Sequence, residues 1–327
     1  MGFSSWCCSC GRPASSAPWS RPACFNSSGG REGIPRMEIA VHLLVLITIY
    51  GILAISLNLM VGMAGLFHLG LAAFYGIGAY TSAILSRNFG VPVGLSLLAG
   101  VALSALIGFI IGLPTVKLVG DYLAVVTMGL GEITRAVFKN WVPVTRGPMG
   151  LPGIPHMSLF GFKLDTAPLF LAFSFVMIAI SFIFVERIRL SPFGRVLRGV
   201  REDEMGAQAL GKNTYWYKMI ALVVGSGLAG LAGGLFAHYM SFIDPSSFVM
   251  WLTFFIFLAI MMGGLGNNLG AVVATGVLMV LREGLRFAGL PPAVAAPLQQ
   301  LIFGILLIIM TIFAPRGLIP EQKPRYD

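Results

Sequence analysis

The sequence predicts an all-α polytopic membrane protein, and three observations carry that prediction. Hydrophobic residues make up 57% of the 327-residue chain and charged residues only 11%, against roughly 25% charge in a soluble domain. Mean hydropathy is +0.86. The apolar residues fall in runs close to the ~20 residues that a helix needs to cross a bilayer, separated by polar or Gly/Pro-rich breaks. Together these predict about eight to ten transmembrane or re-entrant helices with one cytoplasmic loop of short amphipathic helices. The 41 glycines suit close helix packing in lipid. The net charge of +9 does not point to nucleic acid, because the basic residues sit in loops and at segment ends.

Residues 1–36 do not share this character. They are rich in Ser, Pro and Gly and hold all four cysteines: Cys7, Cys8, Cys10 and Cys24. An apolar run of ~7–15 residues is missing, so the segment does not read as a secretory signal. Trp6 breaks the myristoylation pattern that Gly2 begins. The cysteine spacing fits no common zinc pattern and no His lies nearby. The segment is expected to be a disordered, non-homologous extension, with the start of the protein proper at Met37. No disulfide is expected in the rest.

The membrane domain is expected over residues 37–315. Its spans read as Ile39–Leu57, Leu66–Ser86, Val93–Leu113 and the Gly-interrupted Val119–Phe138. Asn140–Asp165 is broken throughout by Pro and Gly and reads as a loop. Thr166–Glu186 is the fifth span. A polar loop fills 187–218. Met219–Met240, Phe248–Met262, Leu269–Phe287 and Ala296–Ala314 follow, and the short Phe248–Met262 reads as a half-helix or re-entrant piece. Residues 316–327 form a tail with Arg316, Lys323 and Arg325. Lys and Arg are retained on the cytoplasmic side, so loop and tail both belong there. Four spans between them satisfy that parity. Five spans before the loop place the start of the domain and Asn140–Asp165 outside.

The polar loop is patterned as well as basic. Ser191 followed by Pro192 reads as an N-cap and a first helical residue. Phe193, Val196, Leu197 and Val200 recur at i, i+3, i+4, i+7, with Arg195 and Arg198 on the opposite face. Glu202, Asp203 and Glu204 suit the positive start of a second short helix, and Gly211 with Asn213 suits its end. Two readings stand: a pair of amphipathic helices that docks a cytoplasmic partner, or a basic segment that only fixes topology.

Ionisable groups inside apolar segments are costly in lipid and mark functional candidates. Glu132 and Arg135 form an ExxR in the fourth span, and Glu283 and Arg286 repeat it later. At i, i+3 each pair can neutralise itself, so a self-satisfied pair and a pathway role both remain open. Gly65, Leu69 and Gly70 precede one Gly-spaced helix, and Gly264, Leu269 and Gly270 precede another. Gly-broken apolar segments in both halves point to a translocation site. The pathway candidates are Asn58, His68, Glu132, Arg135, Asn267, Asn268, Glu283 and Arg286. His42, His68, His156 and His238 are scattered without a second ligand at metal spacing, so no metal site is read. Gly206–Asn213 approaches the phosphate loop GxxxxGK[ST], but Asn213 stands where a hydroxyl is needed. Gly264–Gly270 has one residue too many for a dinucleotide fingerprint. No catalytic cluster stands out, so no enzyme activity is expected of this chain.

Several long runs carry a family resemblance: LNLMVGMAGLFHLGLAAFYGIGAY (57–80), GDYLAVVTMGLGEITRAVFKNW (120–141), TRGPMGLPGIP (145–155), SPFGRVLRGVREDEMGAQALGKNTYWYK (191–218), GLAGLAGGLFAHY (227–239), IDPSSF (243–248) and GGLGNNLGAV (263–272). In this order they resemble the permease subunit of branched-chain amino acid ABC importers, of the LivM type, over nearly everything after Met37. The sequence departs at Phe67–Leu71, where the family has a Ser before the Leu-Gly and a His after it. The resemblance implies a bacterial inner-membrane subunit that moves Leu, Ile or Val, with urea, short amides or aromatic acids as alternative cargo. It implies a second homologous permease chain, an extracytoplasmic binding protein, and two cytoplasmic ATPases that bind the ATP and magnesium, leaving this chain without a cofactor. It also implies that Gly194, Arg195, Arg198, Arg201, Glu202, Glu204, Ala207 and Gly211 form the ATPase-coupling surface, although the Glu204…Ala207…Gly211 spacing is not the standard one. An ion-coupled secondary transporter or a channel is the competing class. The first needs intramembrane acids, and Asp is nearly absent from the spans. The second needs no docking loop.

Overall fold

The computed structural model describes residues 36–118, 120–155, 158–159, 162–163, 167–287, 292–313 and 317. The extension expected over 1–36 lies outside these residues except for Arg36, and so does the tail except for Gly317. Twelve α-helices are described: α1 (Arg36–Leu57), α2 (Leu71–Asn88), α3 (Val93–Thr115), α4 (Asp121–Asn140), α5 (Val142–Thr145), α6 (Ala167–Leu190), α7 (Pro192–Glu202), α8 (Glu204–Ala209), α9 (Thr214–Met240), α10 (Met250–Gly263), α11 (Asn268–Phe287) and α12 (Pro292–Phe313). Four two-residue strands, β1 (Leu151–Pro152), β2 (Ser158–Leu159), β3 (Phe162–Lys163) and β4 (Phe242–Ile243), pair as β1–β4 and β2–β3, both antiparallel.

Six helical stretches among the described residues are long and apolar enough to cross a membrane: Glu38–Met63, Val93–Thr115, Pro168–Leu190, Thr214–Met240, Pro245–Gly263 and Asn268–Leu285. The expected span Leu66–Ser86 is not one helix. Gly65 takes φ +68°, the chain stays non-helical to Gly70, and α2 starts only at Leu71. Phe248–Met262 differs in the other direction. A 3₁₀ turn at Pro245–Ser247 precedes α10, and the combined stretch reaches spanning length.

The bundle has two distinguishable ends. α7 and α8 sit at one, where the Arg201 guanidinium donates to the Gly62 carbonyl and the Tyr215 hydroxyl donates to the Leu113 carbonyl at 3.2 Å. The β1–β4 ladder sits at the other. There His238 joins Ser82 Oγ at 2.8 Å and the Pro155 carbonyl at 3.0 Å, and His42 joins the Tyr239 hydroxyl at 2.6 Å. α1, α2, α3, α4 and α6 precede the α7–α8 loop in the chain, and α9, α10, α11 and α12 follow it.

Packing explains the glycine usage. α2, α3 and α9 form one tightly packed trio, and α1, α6 and α11 form a second against which α10 lies. At Gly78, Gly230 and Gly233 a β-carbon would lie closer than 3.0 Å to the neighbouring helix, and at Gly78 and Gly233 the obstacle is backbone. Helices in lipid gain no hydrophobic drive toward each other, so backbone approach of this kind supplies the van der Waals contact that holds them.

Candidate functional site

Two glycine-broken segments meet at the basic end. α1 runs on into a π-helical turn, Asn58–Met63, which is fully buried. Such turns are uncommon and concentrate at functional positions. The α10–α11 connection faces it, with Gly264 and Gly266 at φ +102° and +85°. Gly263 and Gly270 pack so closely that a side chain on either would strike the other's backbone. The two breaks seen separately in the sequence are therefore neighbours in space.

A polar chain joins them. Asn58, 0% exposed, accepts from the Gly266 N–H at 2.9 Å and donates to Asn268 Oδ1 at 2.9 Å. Asn268 donates in turn to Glu186 Oε2 at 3.0 Å. Glu186, at the end of α6, accepts from Arg189 Nε at 3.0 Å. Four elements are thus held together by side chains whose buried polar atoms are paired, as burial requires. Asn267 serves the same junction locally: its Oδ1 accepts from the Leu269 and Gly270 N–H groups at 3.1 and 3.3 Å and caps α11.

The polar loop folds as its sequence pattern predicts. Ser191 Oγ accepts from the Gly194 N–H at 3.3 Å, and Asp203 Oδ1 accepts from the Gly206 N–H at 2.9 Å, so each short helix carries a side-chain N-cap. Gly194, Leu197 and Val200 are buried against the bundle. Gly194 is so close to the Ile188 and Arg189 carbonyls that a side chain there would displace α7. Arg195, Glu202 and Gly211 are exposed, Ala207 is half-buried, and Gly211 ends the loop at φ +74°. Arg198 does not share the open face of Arg195. It turns back toward the Gly194 and Arg189 carbonyls, at 3.4 and 3.5 Å, and closes the α6–α7 corner. Arg201 reaches the π-helical turn through Gly62, and Glu204 accepts from Lys218 Nζ at 2.6 Å, tying α8 to α9. α8 buries none of its own residues, and Met205 and Leu210 stand 76% and 81% exposed. The signal for these two was present as isolated apolar residues in a charged segment, but the amphipathic count centred on α7 passed over them. Glu186 was likewise missed as a site residue, though its i, i+3 relation to Arg189 at the end of an apolar helix was visible.

The remaining candidates lie elsewhere. His68 is buried, accepts from the Gly70 N–H at 3.2 Å and stacks on Phe74. Beside it the Leu69 N–H donates to Thr127 on α4 at 3.0 Å. Glu132 and Arg135 pair with each other at 3.3 Å on the outward face of α4, both partly exposed. Glu283 lines a cavity near the opposite end of the bundle. The Arg286 side chain lies outside the described residues. Among the described residues no group of His, Cys, Asp or Glu is placed to hold a metal ion.

Residues 39–311 match the family described as "Branched-chain amino acid transport system / permease component". The chain belongs to that family. It is 32% identical to the high-affinity branched-chain amino acid transport system permease protein LivM of Salmonella typhimurium, across 88% of this chain and 71% of the relative. It is 31% identical to the probable LivM permease of Methanocaldococcus jannaschii, across 91% and 89%. More distantly it resembles the guanosine permease NupQ of Bacillus subtilis, 27% identical across 64% of this chain. No solved structure matches. The chain is accordingly a LivM-type ABC transport permease, a transport subunit, and a multi-pass protein of the bacterial plasma membrane. Lys and Arg are retained on the cytoplasmic side, so the basic end is the one expected there.

Proposed function

We propose that this chain is one of two permease subunits of an ATP-driven importer for leucine, isoleucine and valine. One observation carries the reading: the α7–α8 hairpin is rigidly capped, tied into the bundle at Gly62 and Lys218, and offers Met205 and Leu210 to the cytoplasm. Two bare apolar side chains, one on a short polar helix and one just after it, are what a groove in a partner would take up, and they serve no purpose in topology. The partners there are two ATPases, which bind ATP and magnesium. Closure of the ATPase pair pulls on α8. Lys218 and Arg201 pass that displacement to α9 and to the π-helical turn, and the Asn58–Asn268–Glu186 chain shares it with α11 and α6. The second, homologous permease covers the outward face of α4, where a Glu132–Arg135 pair is costly against lipid but acceptable beside protein or a water-lined path. An extracytoplasmic binding protein delivers cargo to the end that holds the β1–β4 ladder.

The test is uptake of radiolabelled leucine by proteoliposomes that contain both permeases and the ATPases, with binding protein outside and ATP inside. Uptake that needs ATP and binding protein supports the reading. Uptake that continues without ATP and follows a proton or sodium gradient overturns it in favour of a secondary transporter.

A further inference from the structure

The outer half of the bundle contains a cavity of about 580 Å³ between α1, α10, α11 and α12. That lies within the ~300–1,000 Å³ of small-molecule sites. Its walls are of two kinds. Leu46, Tyr50, Phe255 and Phe303 form an apolar side, while Arg282 and Glu283 together with Gln299 and Ser247 form a polar one.

Arg282 is the informative residue. Fourteen residues at 1.5 Å put Arg282 about 21 Å along α11 from Asn268, in the last turn of the apolar stretch Asn268–Leu285, and its side chain is exposed where it lines the cavity. Among the described residues its guanidinium forms no ion pair, and its mapped partner is the ring of Phe255 at 5.9 Å from the centroid. An exposed guanidinium lining a cavity, with no carboxylate paired to it, is open to an anionic ligand. Arg282 is the one Lys or Arg in the lining, and Glu283 stands next to it, so the site suits one carboxylate with an adjacent ammonium better than a multiply charged phosphate.

We infer that this cavity is a binding site for a single apolar α-amino acid within the permease: the carboxylate on Arg282, the ammonium toward Glu283 and Gln299, and the aliphatic side chain against Leu46, Tyr50 and Phe255. The inference rests on the proposed branched-chain cargo and adds a place where that cargo pauses after leaving the binding protein.

The test is equilibrium binding of radiolabelled leucine to the intact complex in lipid nanodiscs, without binding protein. The site requires saturable binding that leucinol, which lacks the carboxylate, fails to displace. Arg282→Gln should weaken binding at least tenfold, Arg282→Lys should restore part of it, and Leu46→Trp should block it by filling the apolar side. Equal binding by wild type and Arg282→Gln, displacement by leucinol, or recovery of phospholipid alone from the cavity would overturn the assignment. Parallel uptake assays separate this from the importer reading. Normal leucine uptake without binding sinks only the cavity site, whereas absence of both sinks the cavity site and the cargo together.

Discussion

Asn58 shows how one side chain sets the character of the junction at the basic end. It is fully buried, and both ends of its carboxamide are used. Hydrogen bonds of this kind between helices in lipid average about 0.6 kcal/mol and reach about 1.7, because the unfolded helices also find partners in the membrane. A double-mutant cycle of Asn58→Ala and Asn268→Ala, read by reversible unfolding in bicelles, should give a coupling energy in that range. Additive effects would mean that the two amides do not act together. Tyr80 makes the opposite case. Its hydroxyl is buried with no hydrogen-bond partner among the described residues. An unpaired buried hydroxyl lowers stability, so Tyr80→Phe should leave the melting temperature unchanged or raise it. A clear fall would reveal a partner for the hydroxyl. The sequence marked Asn58 and Asn268 as polar breaks, but their pairing was not legible in it. Asn58 and Asn268 are 210 positions apart, and a single chain carries no trace of which distant amide meets which.

The element scale is where the sequence was most readable. Ser191–Pro192, the i, i+3, i+4, i+7 run to Val200, the acidic start at Glu202–Glu204 and the stop at Gly211 all became the features they resemble, since caps and amphipathic faces are local physics. Leu66–Ser86 misled for a related reason. Hydropathy counts apolar residues but is blind to one positive φ, and Gly65 is enough to divert the chain. The short look of Phe248–Met262 came from ignoring the Asp244-capped turn that extends it. Glycine spacing in α9 gives a sharp test of helix contact. Gly233→Ala should unfold or destabilise the chain, because its new methyl would meet the Tyr75 carbonyl of α2. Gly227→Ala, whose nearest neighbours are 3.5 Å away or more, should be tolerated. Thermal unfolding in detergent distinguishes the two. Equal melting temperatures would mean that α2 and α9 are not held by backbone approach.

At the scale of the molecule, the proposed topology puts the α7–α8 loop and β1–β4 on opposite faces of the membrane. Cysteines introduced into a chain that begins at Met37, free of native cysteine, test this. Gln208→Cys should react with a membrane-impermeant maleimide only from the cytoplasmic side, and Met149→Cys only from outside; labelling of both from one side would break the topology. Two glycine breaks, one in each half, sit together at the basic end, where the π-helical turn and the α11 cap share one polar chain and Arg201 of the loop joins the turn at Gly62. That arrangement lets a force on a six-residue helix reach four spanning elements. The central claim is that the force comes from an ATPase gripping α8. The most direct measurement is co-purification of the ATPases with the full chain against a Met205→Ser/Leu210→Ser variant. Both side chains are exposed, so folding and insertion should be unchanged. The account predicts wild-type membrane levels and loss of at least nine-tenths of the ATPase, as hot-spot truncation of about 1.4 kcal/mol or more entails. Full ATPase retention by the inserted variant would contradict it.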